Sequence, residues 1–217
     1  MHAPISIRTL LAVALAVLAG LPARLPAQVV LNEVLADNRT AIANGSSFPD
    51  YIELLNVTAQ PVDVSGWSLT DDPLVPRKYI LPSGTTIPAQ GFLVVWAAVN
   101  SGNAGLHTGF GLGAKGDRVR LFAADGATLL DEVSFGLQVG ECSLGRIPDG
   151  TGTWGLNQPS AGQANTATAL ADGRELRLNE WMARPAAGDD WLEVFNAATL
   201  PAALGGLVIT DQPSGLP

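Results

Sequence analysis

The chain has 217 residues and a mass of 22.4 kDa, and its 47% hydrophobic and 15% charged residues exclude a disordered tail. A formal net charge of −8, from 12 basic and 20 acidic residues, gives a surface that repels phosphate backbones, so no nucleic-acid binding is expected. One cysteine, Cys142, excludes an internal disulfide framework and a cysteine-based zinc site.

Residues 1–27 read as a secretory signal peptide. Arg8 precedes an apolar stretch from Leu10 to Leu21, followed by Pro22 and small residues. The stretch is too short to span a bilayer, which takes roughly 20 apolar residues. Cleavage is expected near Ala27, with Ala23 as a second possible cut, and no cysteine stands there to carry a lipid. Removing the leader takes away Arg8 and Arg24 but no acid, leaving 10 basic residues against 20 acidic and a net charge of −10. The expected compartment is therefore outside the cytoplasm: secreted, periplasmic or on the cell surface. No membrane span is expected once the leader is cut.

From Val29 onward short apolar runs are broken by Gly, Pro, Asn and Asp, with 24 Gly and 15 Pro in the chain. Strands are predicted at Val29–Leu35, Tyr51–Asn56, Val62–Val64, Trp67–Thr70, Lys78–Leu81, Phe92–Ala97, Arg118–Phe122 and Leu129–Phe135. In Arg118–Phe122, Val119 and Leu121 alternate with Arg118 and Arg120, the pattern of a half-buried strand. Phe92–Ala97 is apolar on both parities and reads as a central strand covered on both faces. Ala124-Asp125-Gly126 reads as a hairpin turn. No convincing amphipathic helix follows the leader, and about eight short strands point to an all-β sandwich.

The sequence then repeats itself. LNEVLADN at 31–38 recurs as LNEWMARP at 178–185, matching Asn32 and Glu33 with Asn179 and Glu180. DYIELLNVTAQPVDVSGWSLTDDP at 50–73 recurs as DWLEVFNAATLPAALGGLVITDQP at 190–213. Asp50, Glu53, Asn56, Pro61, Gly66, Thr70, Asp71 and Pro73 thus match Asp190, Glu193, Asn196, Pro201, Gly206, Thr210, Asp211 and Pro213. The offset falls from 147 to 140 between the two stretches, so the intervening loop is shorter in the second copy. The expected organisation is a leader at 1–27, a complete domain at 28–165, an Ala/Thr-rich linker at 166–174 and a truncated second copy at 175–217. A copy holding only its first strands leaves sheet edges open. The chain is therefore expected to be a fragment of a longer protein or the product of a truncated gene. The alternative is that 175–217 pack on the first domain as extra strands.

LNEV, DYIELLN and VSGWSLTDD in this order resemble the lamin-tail domain. The resemblance continues through IPAQGFLVVWA, LHTGFGLGAKGDRVRLFAADGATLLDEVSF and SLGRIPDGTGTW. It covers nearly all of 29–158, and its opening recurs at 178–213. It implies an immunoglobulin-like β-sandwich. Without a heptad segment, the chain resembles the exported bacterial type, in which the domain repeats beside other modules such as secreted nucleases, phosphoesterases or kinase-like spore-coat domains. The resemblance supplies no catalytic residues.

Several residues invite a sharper reading. Glu33 shares parity with Leu31 and Leu35, and Glu53 with Tyr51 and Leu55. Glu180 and Glu193 repeat this placement among Leu178, Met182, Trp191 and Phe195. Carboxylates among apolar neighbours must be paired or hydrogen-bonded. A metal or acid–base pair is one reading; a structural hydrogen bond to backbone or to an arginine is the expected one. Asp71-Asp72 and Asp189-Asp190 could contribute to a calcium site but sit in no loop of alternating ligands, so Asx turns are expected. GFGLGAKGD at 109–117 lacks the Lys-Ser/Thr ending of a phosphate loop and runs into a strand, which makes it a flexible connection. His107, the one histidine outside the leader, has no nucleophile elbow to serve. Cys142 reads as a small buried hydrophobe. Trp67, Trp96, Trp154, Trp181 and Trp191 read chiefly as core residues, an exposed one being able to stack on a sugar. Asn38, Asn44 and Asn56 head N-x-Ser/Thr sequons, meaningful only in a eukaryotic secretory host.

No catalytic, cofactor-binding or metal-ligating residue and no cofactor is therefore expected. The expected function is that of a non-catalytic exported module for protein interaction, surface attachment or spacing, with other proteins or cell-surface components as partners. One alternative is an accessory region of a secreted enzyme whose catalytic domain lies beyond residue 217. Another is a calcium- or carbohydrate-binding module.

Overall fold

The computed structural model describes residues 28–99 and 102–212; the leader at 1–27 with its cleavage site and the last residues of the echo lie outside the described residues. Fifteen strands follow in chain order among the described residues: β1 (Val29–Leu35), β2 (Asp50–Asn56), β3 (Val62–Asp63), β4 (Ser68–Thr70), β5 (Tyr79–Ile80), β6 (Thr86–Ile87), β7 (Phe92–Ala97), β8 (Leu106–His107), β9 (Asp117–Phe122), β10 (Leu129–Phe135), β11 (Ser143–Ile147), β12 (Thr153–Gln158), β13 (Thr166–Ala167), β14 (Leu176–Met182) and β15 (Trp191–Asn196). A large sheet has the order β13-β12-β11-β1-β2-β7-β8, and a second has the order β10-β9-β4-β5. β3 pairs with β6, and β14 pairs with β15. All pairings are antiparallel except β7 with β8.

Alternation sends every second side chain of β1 and β2 to the same side. Val29, Leu31 and Val34 of β1 and Ile52 and Leu54 of β2 are fully buried in one cluster with Leu69 of β4, Val119 and Leu121 of β9 and Val133 of β10. The two main sheets thus share a core, in which each fully buried aliphatic side chain contributes roughly 1.5–3 kcal/mol. In β9 the predicted alternation holds, with Val119 and Leu121 inside and Arg118 exposed. The 124–126 turn holds as well: Gly126 has φ of 68° and Asp125 accepts the amides of Ala127 and Thr128.

β7 departs from the expectation of a strand covered on both faces. It lies one place from the sheet edge, between β2 and the two-residue β8, and only Val95 and Ala97 are buried. β11 and β12 were not anticipated, because Gly145 and Gly155 interrupt their apolar pattern. The structure needs the first of these glycines. A Cβ at Gly145 would stand 2.7 Å from the Asn165 side-chain amide, which crosses the strand there.

A β-bulge shapes β1. Leu31 pairs with Leu54, yet Glu33 pairs with Glu53, so Asn32 is an extra residue with no partner on β2. Glu33 therefore does not share a face with Leu31, as uninterrupted alternation requires. It shares one with Leu35, on the side of the sheet turned away from the core. The bulge also frees the Leu31 amide, which donates to Asp131 Oδ2 of β10 at 2.9 Å. The Leu31 carbonyl accepts Arg146 Nε from β11 at 2.9 Å. Arg146 Nη2 contacts both Asp131 oxygens at 3.1 Å, and its guanidinium lies 4.8 Å from the Trp154 ring centroid. The bulge is thus where both main sheets are tied by charge.

The β14–β15 pair repeats this geometry. Leu178 pairs with Val194 and Glu180 with Glu193, with Asn179 as the extra residue. Asn196 reaches the Leu200 carbonyl at 2.8 Å, as Asn56 reaches that of Gln60 at 2.8 Å. Thr210 brackets residue 212 through its hydroxyl as Thr70 brackets residue 72. Gly66 and Gly206 both have left-handed φ, at 77° and 81°. Burial, however, is not repeated: Leu178, Trp181, Leu192, Val194 and Phe195 are exposed.

Candidate functional site

The outer face of the large sheet carries a buried polar cluster built round the bulge. Glu33 and Glu53 are fully buried. Glu33 Oε1 accepts the Ser143 hydroxyl, Asn157 Nδ2 at 2.7 Å and the Ser160 amide at 3.0 Å. Its Oε2 accepts the Ser160 hydroxyl at 3.1 Å. Glu53 Oε1 accepts Asn32 Nδ2 at 3.0 Å, and its Oε2 accepts the Gly162 amide at 2.6 Å. Apart from Asn32 of β1 itself, these donors lie on β11, on β12 and in the segment 159–165 that folds back over the sheet.

Asn32 is the hub of this arrangement. Its Nδ2 also donates to Asp149 Oδ1 at 2.9 Å, and its Oδ1 accepts the Gly150 amide at 2.9 Å. Asn165 closes the ring, donating through Nδ2 to the carbonyls of Asn32 and Arg146 at 3.0 Å each. Burial pushes the Glu53 carboxyl up to about 7, against the opposing pull of the Asn32 and Gly162 N–H groups; the charges of Glu33 and Asp149 add to the rise. Burial, then Glu33 beside it, holds the Tyr51 phenol above its ordinary range.

Chemically, this arrangement is a clamp. Each carboxylate oxygen of Glu33 and Glu53 already receives at least one donor from the chain itself, so the pair fastens 143–165 to the sheet. Among the described residues, no three His, Cys, Asp or Glu side chains gather as they would round a metal ion.

The other candidates are dispersed. Asp71 pairs with Lys78 Nζ at 2.6 Å, and Asp72 accepts the Leu74 amide in an Asx turn. Asp190 accepts the Arg184 amide, and Asp189 is exposed. The run 109–117 is not a flexible connection. Phe110 and Leu112 plug it into the core, and Asp117 Oδ2 accepts the Gly113 amide at 2.9 Å. His107 sits on β8 opposite Trp96, at the sheet edge.

Cys142 is only half-buried, because it stands in the loop before β11 rather than in the core. Trp67 and Trp154 pack against the core as expected, but Trp181 and Trp191 are exposed, the former at 69%, because among the described residues no sheet faces their strands. Asn38, Asn44 and Asn56 are buried, and each spends its amide on backbone carbonyls within the fold.

Sequence reasoning found Glu33 and Glu53 but missed Asn32 as a hub and missed Ser143, Asp149, Asn157, Ser160 and Asn165 altogether. The repeat marks Asn32 through Asn179. Nothing marks the others, because the echo does not extend to their positions.

A family model described as Lamin Tail Domain matches residues 22–136, just over half of the chain, and the chain belongs to that family. The match ends after β10, whereas β11 to β13 complete the large sheet and, together with the segment 159–165, supply every donor to Glu33 and Glu53 except Asn32. No curated protein matches the chain. No helix among the described residues is long and apolar enough to cross a membrane, which says nothing of strands.

Proposed function

We propose that this lamin-tail chain is a non-catalytic module of an exported bacterial protein, serving protein interaction, surface attachment or spacing. Its first domain is an immunoglobulin-like sandwich, a reading supported by the core that the two main sheets share. The observation that carries the proposal is the clamp. The most chemically suggestive pair in the sequence, Glu33 and Glu53, is fully buried and its oxygens are spent on the fold's own donors. An acid–base pair needs a carboxylate within reach of substrate; these two hold a loop.

The leader at 1–27 supports export. The acidic surface supports solubility and selectivity against anionic partners. Exposed apolar residues on β14 and β15 favour a place in a larger assembly, including the accessory region of a secreted enzyme. The test is direct: purified chain from Gln28 onward is assayed against esters, glycosides and phosphodiesters. No turnover above a Glu33→Gln control is expected. Turnover abolished by that substitution would overturn the proposal.

A further inference from the structure

The edge of β14, unpaired among the described residues, repeats Leu31, Asn32 and Glu33 and the bulge of the edge of β1 that β11 occupies. In the first domain β11 pairs along β1 at Glu33↔Gly145 and Val34↔Leu144. Ser143, Asn157 and Ser160 then cap Glu33, Gly162 caps Glu53, and Asp149 and Gly150 bracket Asn32. The three side chains that receive these contacts recur as Asn179, Glu180 and Glu193, in the same register and about the same bulge. Asn179 also donates to Glu193 as Asn32 does to Glu53. The backbone carbonyls that take Arg146 and Asn165 belong to Leu31 and Asn32, whose counterparts are Leu178 and Asn179. Yet β14 pairs only with β15 among the described residues, and Glu180 is exposed.

The other side of the hairpin is likewise unfilled. Leu176, Leu178, Val194, Leu204, Leu207 and Ile209 line an open apolar groove of about 320 Å³. Their first-domain counterparts Val29, Leu31, Leu54, Val64 and Leu69 are fully buried, and that of Leu207, Trp67, packs against the same core.

We propose that β14 is the acceptor for an added strand hairpin, and that its occupant is a polypeptide carrying the β11–β12 chemistry. The occupant pairs antiparallel to β14 through its backbone. It brings a serine hydroxyl and an asparagine amide to Glu180 and a glycine amide to Glu193, following the pattern Ser-x-Gly-Arg, Pro-Asp-Gly, Asn-x-x-Ser-x-Gly of 143–162. Main-chain hydrogen bonds supply affinity, and the two carboxylates supply selection, since a segment without those donors would bury them unpaired. A second copy of this chain is a poorer occupant, because its own 143–167 is held on its own β1.

The test is a fluorescence-anisotropy titration of the chain from Gln28 onward with a labelled synthetic peptide of residues 141–167. Saturable binding is expected, with amides of β14 becoming protected from hydrogen exchange. Glu180→Gln in the chain, and separately Asn157→Ala in the peptide, should each weaken binding about tenfold or more, since a hydrogen bond to a charged group is lost in both. Absence of saturable binding overturns the proposal. So does binding that neither substitution weakens, or a self-association of the chain that shields β14 and excludes the peptide. The outcome is independent of the catalytic assays, because hydrolysis by the chain would leave β14 as it is.

Discussion

Glu33 on β1 and Glu53 on β2 stand directly opposite each other in an antiparallel pair, both fully buried, on the face of the sheet turned away from the core. Two carboxylates so placed are tolerable only because each has been given its own donors. Glu33 takes those of β11, β12 and Ser160, whereas Glu53 takes those of Asn32 and Gly162. The second pair, Glu180 and Glu193, has the same register in the open.

That contrast makes a paired prediction. Glu33→Ala takes away the charged acceptor shared by four donor groups, the Ser143 and Ser160 hydroxyls, Asn157 Nδ2 and the Ser160 amide, and should lower stability by roughly 2–4 kcal/mol. Glu180→Ala, at an exposed counterpart, should change it by about 0.5 kcal/mol or less. Urea titrations followed by tryptophan fluorescence compare the two; equal losses would show that the clamp does not hold β11, β12 and 159–165 to β1 and β2.

Glu53 should give stability a distinctive pH dependence. Its carboxyl is raised to about 7 in the folded chain, mainly by burial. The folded state then binds more protons than the unfolded one between the ordinary carboxyl range and pH 7. Stability from this group is fully present below that range and is lost as pH rises through about 7, by at most roughly 3 kcal/mol. Urea midpoints of the wild type and of Glu53→Gln, compared from pH 5 to 8, should differ in slope, with the variant flatter. Parallel slopes would remove Glu53 as the titrating group.

Gly145 should resist substitution although its φ is ordinary. A Cβ there meets the Asn165 amide at 2.7 Å, so Gly145→Ala displaces the residue that closes the ring round Asn32. A loss of roughly 1–3 kcal/mol is expected, with faster proteolysis within 159–165. Gly155→Ala, which meets nothing within 4 Å, is the control and should be milder.

Asn56 heads a sequon but donates to the carbonyls of Gln60, Ile87 and Pro88. A glycan on that nitrogen replaces one of its two hydrogens and must stand among those three carbonyls, so the amide can no longer serve them all. When the chain is secreted from a eukaryotic host, the folded fraction should carry no glycan on Asn56 by peptide mass mapping. A folded, glycosylated form would contradict this placement.

Most strand positions were within reach of local pattern. β1, β7 and β10 have the bounds that short apolar runs between turn residues predict, because their neighbours in sequence carry the signal. β11 and β12 escaped because their glycines answer to a contact across the fold. The bulge escaped as well, since one extra residue reverses the facing of everything after it, and only pairing with β2 reveals the count.

By itself, the sequence determined the all-β class, the strands of the first 135 residues other than the two-residue β6 and β8, and the recurrence of Asn-Glu and Asp-x-x-Glu at 178–193. These depend on near neighbours or on identity between segments. Only the tertiary structure decided what the glutamates do. Except for Asn32, their partners lie about a hundred residues further along the chain, beyond the span of any local pattern, and meet them only when β11, β12 and 159–165 close over the sheet. The same local pattern is therefore a buried clamp at β1 and β2 and, among the described residues, an exposed edge at β14.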